Sequence, residues 1–216
     1  MKKSIIITAG GIGKRMGGEL PKQFLLLRAK PVLIHTLERF FDFDPSAQII
    51  VTLPKDWVTF WKELLVQFNI RIPHELVDGG TERFHSIQNA LAICNGDQIA
   101  IHDGVRPLVS LETIARCFEG LKTSKAVVPV LHLKDSLRMG TLENSESVDR
   151  SLHYLVHTPQ CFEASILQKA YERGYQAHFT DDASVVEEIG IGPLLVLSNE
   201  ENIKITSQID LKILHA

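Results

Sequence analysis

The sequence predicts an α/β protein with a mostly parallel sheet flanked by helices and a projecting β-arm, and three observations carry that prediction. Short β-branched apolar runs recur along the 216 residues, amphipathic helical patterns lie between them, and one long polar excursion breaks the alternation. The first run, Ile5 to Ile7, passes straight into the glycine-rich stretch Thr8 to Gln23. A helix is expected from near Pro31, and a second strand over Ile49 to Thr52. The clearest helix spans Pro54 to Phe68, where Trp57, Phe60, Trp61, Leu64, Leu65 and Phe68 repeat at helical spacing, so its aromatics read as core. Further helices are expected near Glu82, after Ser110 as N-cap, near Glu163 and near Asp181. Ile99 to Ile101, Ala126 to Val130 and Leu194 to Leu197 complete a set of strands expected to be buried on both faces.

The excursion runs from His132 to His153 and holds Lys134, Asp135, Arg138, Glu143, Asn144, Glu146, Asp149 and Arg150, with too few apolar residues to pack. It reads as a hairpin arm, assigned to about 132–155. An isolated hairpin is marginal in water, so the arm is expected to lie on another surface, such as a second copy of the chain. The rest reads as one domain over 1–216, without internal repeats.

Composition narrows the function classes. With 44% hydrophobic residues, 23% charged residues and a net charge of -3, the chain is globular rather than disordered or nucleic-acid-coating, and any anion site must be locally basic. Cys94, Cys117 and Cys161 include no C-x-x-C pair, which disfavours a disulfide framework or zinc ribbon and suits a reducing cytoplasm. The apolar run before Thr8 is too short for a signal peptide, and no stretch approaches the roughly 18 apolar residues of a membrane span.

Chemistry concentrates in Thr8 to Gln23, which carries Ala9, Gly10, Gly11 and Gly13 together with Lys14, Arg15 and Lys22. Glycines let backbone N–H groups approach an anion, and the cations offset several phosphates at once, so a nucleoside triphosphate is the expected guest. A Walker A loop is excluded because Arg15 follows Gly13-Lys14 where Ser or Thr is required. A dinucleotide fingerprint is disfavoured because the third glycine falls on Met16. Ligands of open α/β sheets sit beyond the carboxyl ends of strands, where this loop, Asp78-Gly79-Gly80 and His102-Asp103 are all expected.

Seven separated segments then converge: Ala9 to Met16 with Pro21-Lys22-Gln23, Asp78 to Arg83, His102 to Pro107, Val148-Asp149-Arg150, Thr158-Pro159-Gln160, Thr180 to Ser184, and Glu201 to Thr206. In this order the chain resembles the 2-C-methyl-D-erythritol 4-phosphate cytidylyltransferases over nearly its whole length. The resemblance implies a Rossmann-like domain whose β-arm makes a homodimer, and transfer of a cytidylyl group from CTP to methylerythritol phosphate. It implies that Arg15 and Lys22 stabilise charge at the α-phosphate, and that Arg150 and Lys204 hold the second substrate, Arg150 in trans. By the same resemblance Ala9, Gly10, Gly11 and Gly13 serve ribose and phosphates, while Gly80, Thr81, Arg83 and Ser86 line the base pocket. Asp103 falls near the ribose, Arg106 and Thr158 near the second substrate, and Ser136 where the family commonly has threonine. Thr8 and Thr81 depart from the pattern, at positions where proline or alanine and an acidic residue are frequent.

That residue set suits the reaction. The attacking phosphate oxygen arrives ionised, with a second pKa of about 6, so no general base is needed. Positioning two repelling anions and stabilising charge at phosphorus call for cations, with magnesium expected to bridge the triphosphate. Blander readings hold elsewhere: His153 and His157 lack a third metal ligand and alternate like a strand, so no protein metal site is expected, and Asp181-Asp182 resembles a helix N-terminus. His102-Asp103 needs no role as an acid/base dyad, with Asp103 favoured as a ribose or metal-water contact, and Lys204 viewed alone is an exposed strand lysine. The rivals are a ribitol 5-phosphate cytidylyltransferase and an inert CTP-binding module, the latter disfavoured by Arg15, Lys22, Arg150 and Lys204 all being present.

Overall fold

A computed structural model describes residues 1–11 and 20–215. The expected Gly13, Lys14 and Arg15 therefore lie outside the described residues. The chain opens with β1 (Lys3–Thr8), and after a 3-10 turn at Lys22–Phe24 forms a small ribbon of β2 (Leu26–Leu27) and β3 (Lys30–Pro31). There follow α1 (Val32–Phe43), β4 (Gln48–Leu53), α2 (Val58–Gln67), β5 (Glu75–Asp78), α3 (Arg83–Leu91), β6 (Gln98–Asp103), α4 (Leu111–Gly120) and β7 (Ala126–His132). The second half holds β8 (Leu137–Gly140), β9 (Ser145–Val148), β10 (Tyr154–Val156), β11 (Gln160–Glu163), α5 (Ala164–Tyr171), α6 (Asp182–Glu187), β12 (Leu194–Leu197) and α7 (Gln208–His215).

The main sheet is eight-stranded in the order β10-β7-β11-β6-β1-β4-β5, with β12 on β7. β1 pairs in parallel with β4 and β6, as β4 does with β5 and β12 with β7, whereas β10 and β11 run antiparallel to their neighbours. Alternation along β1 explains its central place: Ile5 and Ile7 enter the core built with Leu33, Leu37, Phe40 and Trp61. Ile6 enters the opposite core, with Phe84, Ile87, Leu167 and Val186. A strand covered on both faces has no use for polar residues, which is why these runs are continuously apolar.

The expected Pro54 to Phe68 helix is a 3-10 turn at Lys55–Trp57 followed by α2, and Trp61 is its fully buried anchor. Ser110 caps α4, its Oγ accepting from Thr113 N at 3.0 Å. Asp181 caps α6 in a reciprocal box with Ser184. Asp182 departs from the capping expectation, since it is fully buried and pairs with Arg83. The expectation for Leu194 to Leu197 also needs correction. β12 touches only β7 in the sheet, and Leu194, Leu195 and Leu197 are 40%, 44% and 52% exposed.

The polar excursion is a hairpin of its own, β8 pairing with β9 from Leu137↔Val148 to Gly140↔Ser145, off the main sheet. Its return boundary is tighter than 155, because Tyr154 and Leu155 already pair with His132 and Leu131 in the main sheet.

Candidate active site

Strands β1, β5 and β6 end at one edge of the sheet, and their following loops enclose a cleft of about 350 Å³. Ala9, Gly10 and Gly11 form one wall, Gly80, Thr81, Arg83 and Ser86 the opposite one, with Asp103 at the base and Lys22 and Lys204 also lining it. Thr8, Gln23, Glu82 and Val105 complete the lining.

Local bonding explains each wall. Ala9 N donates to Thr52 O at 3.0 Å, continuing the β1–β4 pairing by one residue before the chain turns into the glycines. The Ala9 carbonyl accepts from Gln23 Nε2 at 2.8 Å, so this buried amide ties the start of the loop to the residue after Lys22. Opposite, Gly80 N donates to Ser86 Oγ at 2.9 Å, and that hydroxyl donates to Glu82 O at 3.2 Å. Gly80 is obligatory there, because an added Cβ would stand 2.3 Å from His85 Cβ. Gly10 faces the same serine, with Ser86 Oγ 3.2 Å from where its Cβ would be. Thr81, the first departure inside the cleft, is exposed and bonds the His85 ring at 3.1 Å, leaving the backbone of the wall unaffected. Thr8 spends its hydroxyl on His102 O at 3.3 Å.

Asp103 is the electrostatic centre. It is 6% exposed, and Lys204 Nζ, Arg106 Nε and Arg83 Nε stand 3.0, 3.3 and 3.6 Å from its carboxylate. Burial alone would raise its pKa, but Arg83, Lys204 and Arg106 together hold the carboxyl well below the usual carboxylate range. Lys204 is thus an exposed lysine with a fixed partner rather than a solvated strand residue, and its ammonium is held at the mouth of the cleft. Ile205 secures that segment, buried against Leu27 and Val105 and donating N–H to Val105 O at 3.0 Å.

A constellation of cations around a glycine-lined cleft, spaced along nearly the whole chain, is matched by one family description. The model for IspD, 2-C-methyl-D-erythritol 4-phosphate cytidylyltransferase, matches residues 4–216. The chain belongs to this family. A 2-C-methyl-D-erythritol 4-phosphate cytidylyltransferase of Bacteroides fragilis is 50% identical over all of this chain and 99% of its own length. One from Phocaeicola vulgatus is 48% identical over 99% of this chain and 98% of that protein. The crystal structure of the Francisella tularensis 2-C-methyl-D-erythritol 4-phosphate cytidylyltransferase superimposes with a TM-score of 0.81 at 31% identity, covering 99% of this chain and 98% of that one.

Not every residue expected from the IspD resemblance meets in the cleft. Arg106 is 8% exposed and lies behind the wall, NH1 donating to Asn202 O at 2.6 Å, so within this chain it supports Asp103. Thr158 is buried behind the same wall, where its Oγ accepts from Asp103 N at 3.1 Å. Ser136 and Arg150 are exposed on the arm, and Arg150 donates to Lys134 O. Among the described residues the arm brings neither of them to the lining of this cleft.

Two supports went unassigned in the sequence. Gln23 was visible in Pro21-Lys22-Gln23, yet nothing in a glutamine announces that it will reach back to residue 9. His102 is fully buried, Nε2 donating to Arg106 O at 3.0 Å and Nδ1 accepting from Thr158 Oγ at 3.0 Å. Burial pushes its pKa down to about 4, so it is a neutral strut beneath Asp103 and not half of a dyad. His157 lies on the other side, bonded to Ser198 Oγ at 3.0 Å.

Proposed function

We propose that this chain transfers the cytidylyl group of CTP to 2-C-methyl-D-erythritol 4-phosphate, releasing pyrophosphate. The observation that carries the reading is the placement of Lys22 and Lys204 on one cleft with the Ala9–Gly11 backbone, in a chain of this family. The triphosphate lies along Gly10 and Gly11, and the base sits against Gly80, Thr81, Arg83 and Ser86. Lys22 faces the α-phosphate; Lys204 offers its ammonium to the phosphate of the second substrate. An oxygen of that phosphate attacks the α-phosphorus, the bond to the bridging oxygen breaks, and pyrophosphate departs with the electron pair. No proton has to be removed from the nucleophile at neutral pH. Cations whose partners already fix them stabilise the charge without reorganising.

Magnesium belongs to this proposal as an ion carried in by the triphosphate. Among the described residues no group of three His, Cys, Asp or Glu side chains is placed to hold a metal. Asp103 Oδ1, which has Arg83 Nε at 3.6 Å, retains acceptor capacity for a water of that ion. Such an ion supplies charge neutralisation along the phosphates.

The proposal extends to a homodimer in which the arm carries Arg150 to the partner's cleft. Supporting it are the exposed Met139, Leu142 and Leu152, apolar side chains on or beside a hairpin that has no core of its own. It also places the chain in a reducing cytoplasm, in keeping with three free thiols, two of them buried. Among the described residues no helix is long and apolar enough to cross a membrane.

Pyrophosphate release from the full-length protein, with CTP and magnesium against a panel of polyol phosphates, tests the reading. Turnover is expected with methylerythritol 4-phosphate. Preference for ribitol 5-phosphate would transfer the assignment to that substrate, and CTP binding without turnover on any acceptor would make the chain a binding module.

A further inference from the structure

Arg83 begins α3 and lines the cleft, with 32% of its side chain exposed. Both of its terminal nitrogens donate to Asp182, NH1 to Oδ1 at 2.8 Å and NH2 to Oδ2 at 2.7 Å. Such a two-point pairing fixes the plane of the guanidinium as well as its position. Asp182 is fully buried, and its Oδ1 also accepts from Tyr171 O–H at 2.7 Å. The ring of Tyr171 stacks on Phe84 with centroids 4.4 Å apart, so one side chain of α5 steadies both the first and second residues of α3.

The arrangement has a second consequence at Asp103. Arg83 Nε stands 3.6 Å from Asp103 Oδ1, while Lys204 is bound to Oδ2 at 3.0 Å. Arg83 therefore bridges two carboxylates, its terminal nitrogens on Asp182 and its Nε toward Asp103. Without Asp182 the terminal nitrogens would be free to turn onto Asp103, where they would compete with Lys204.

We propose that Tyr171 and Asp182 are positioning residues: the Tyr171 hydroxyl and the Asp182 carboxylate hold Arg83 facing the nucleotide and leave Asp103 to Lys204. The inference rests on the CTP reading above. Neither residue lines the cleft, and both act through Arg83.

Calorimetric titration of CTP with magnesium into the full-length protein is the direct test, and it does not depend on which acceptor is used. Tyr171→Phe keeps the stack on Phe84 and deletes only the hydroxyl. It is expected to weaken CTP binding about tenfold, the low end of the scale for one hydrogen bond to a charged group. Asp182→Asn should weaken it further and also raise KM for the polyol phosphate, as Arg83 moves toward Asp103. In an Arg83→Lys background, which removes the two-point pairing, Tyr171→Phe should have no further effect on CTP affinity. Unchanged affinity in Tyr171→Phe, or an equal loss in both backgrounds, would overturn the proposal. Wild-type protein that binds CTP but turns over no acceptor would sink the transferase reading while leaving this result interpretable.

Discussion

Replacing Asp103 with asparagine leaves three cations facing an uncharged amide. Their fates differ with their surroundings. Lys204 has a side chain 41% exposed and rehydrates, and Arg83, at 32%, keeps Asp182. Arg106 has neither recourse: its side chain is 9% exposed and its other partner is the carbonyl of Asn202. Stranding one buried charge typically costs 3–5 kcal/mol, and since the asparagine oxygen still accepts one bond, a loss of about 3 kcal/mol is expected. For a chain of this size that corresponds to a fall in Tm of roughly 6–12 °C, measured by calorimetry or circular dichroism at pH 7.

The pH dependence of the difference is a second reading of the same residue. A carboxyl whose folded pKa is depressed stabilises the protein above its unfolded pKa of about 4, and that contribution declines as pH falls toward the folded value. The gap between wild type and Asp103→Asn should stay constant from pH 7 to about 5 and narrow below about 4. A loss under about 1 kcal/mol, or a gap that widens on acidification, would refute the placement of Asp103 as the buried hub.

Other outcomes follow from the same geometry. Lys22→Ala should lose at least a hundredfold in kcat with thermal stability little changed, in steady-state pyrophosphate release; near-wild-type turnover would remove Lys22 from the chemistry. Mixing Lys22→Ala with Arg150→Ala protein should restore about a quarter of wild-type activity, because in the proposed homodimer half the random pairs are hybrids and each hybrid has one intact site. No recovery after subunit exchange would argue against action in trans. His102, with an unfolded pKa near 6.5 and a folded value of about 4, takes up its proton only in the unfolded state between those limits. Stability should therefore fall by roughly 3 kcal/mol as pH drops from 6.5 to 4, with His157 adding in the same direction, and NMR should find His102 neutral at pH 6. Protonation of His102 near pH 6.5 would contradict its burial.

The parallel centre of the fold was legible because strands covered on both faces advertise themselves as unbroken apolar runs, as in Ile5 to Ile7 and Ile99 to Ile101. The same signal misled at Leu194 to Leu197, where an edge strand carries leucines into solvent, since composition does not tell which side of a strand acquires a neighbour. β11 was invisible for the opposite reason: its four residues, Gln160–Glu163, include a buried glutamine whose carbonyl caps the start of α6. In the cleft, the glycines and Lys22 were readable from local spacing, whereas Arg83 and Lys204 were marked only by the family resemblance. Gln23 reaching Ala9, Asp182 holding Arg83 and His102 under Arg106 were not, because each depends on a partner that only the folded chain brings near.

A crystal structure with CTP and magnesium measures the decisive contact. The α-phosphate should lie within hydrogen-bonding distance of Lys22 Nζ, with the neighbouring phosphates against the backbone of Gly10 and Gly11. A triphosphate bound at any other surface, with Lys22 more than about 6 Å from phosphorus, would contradict the account.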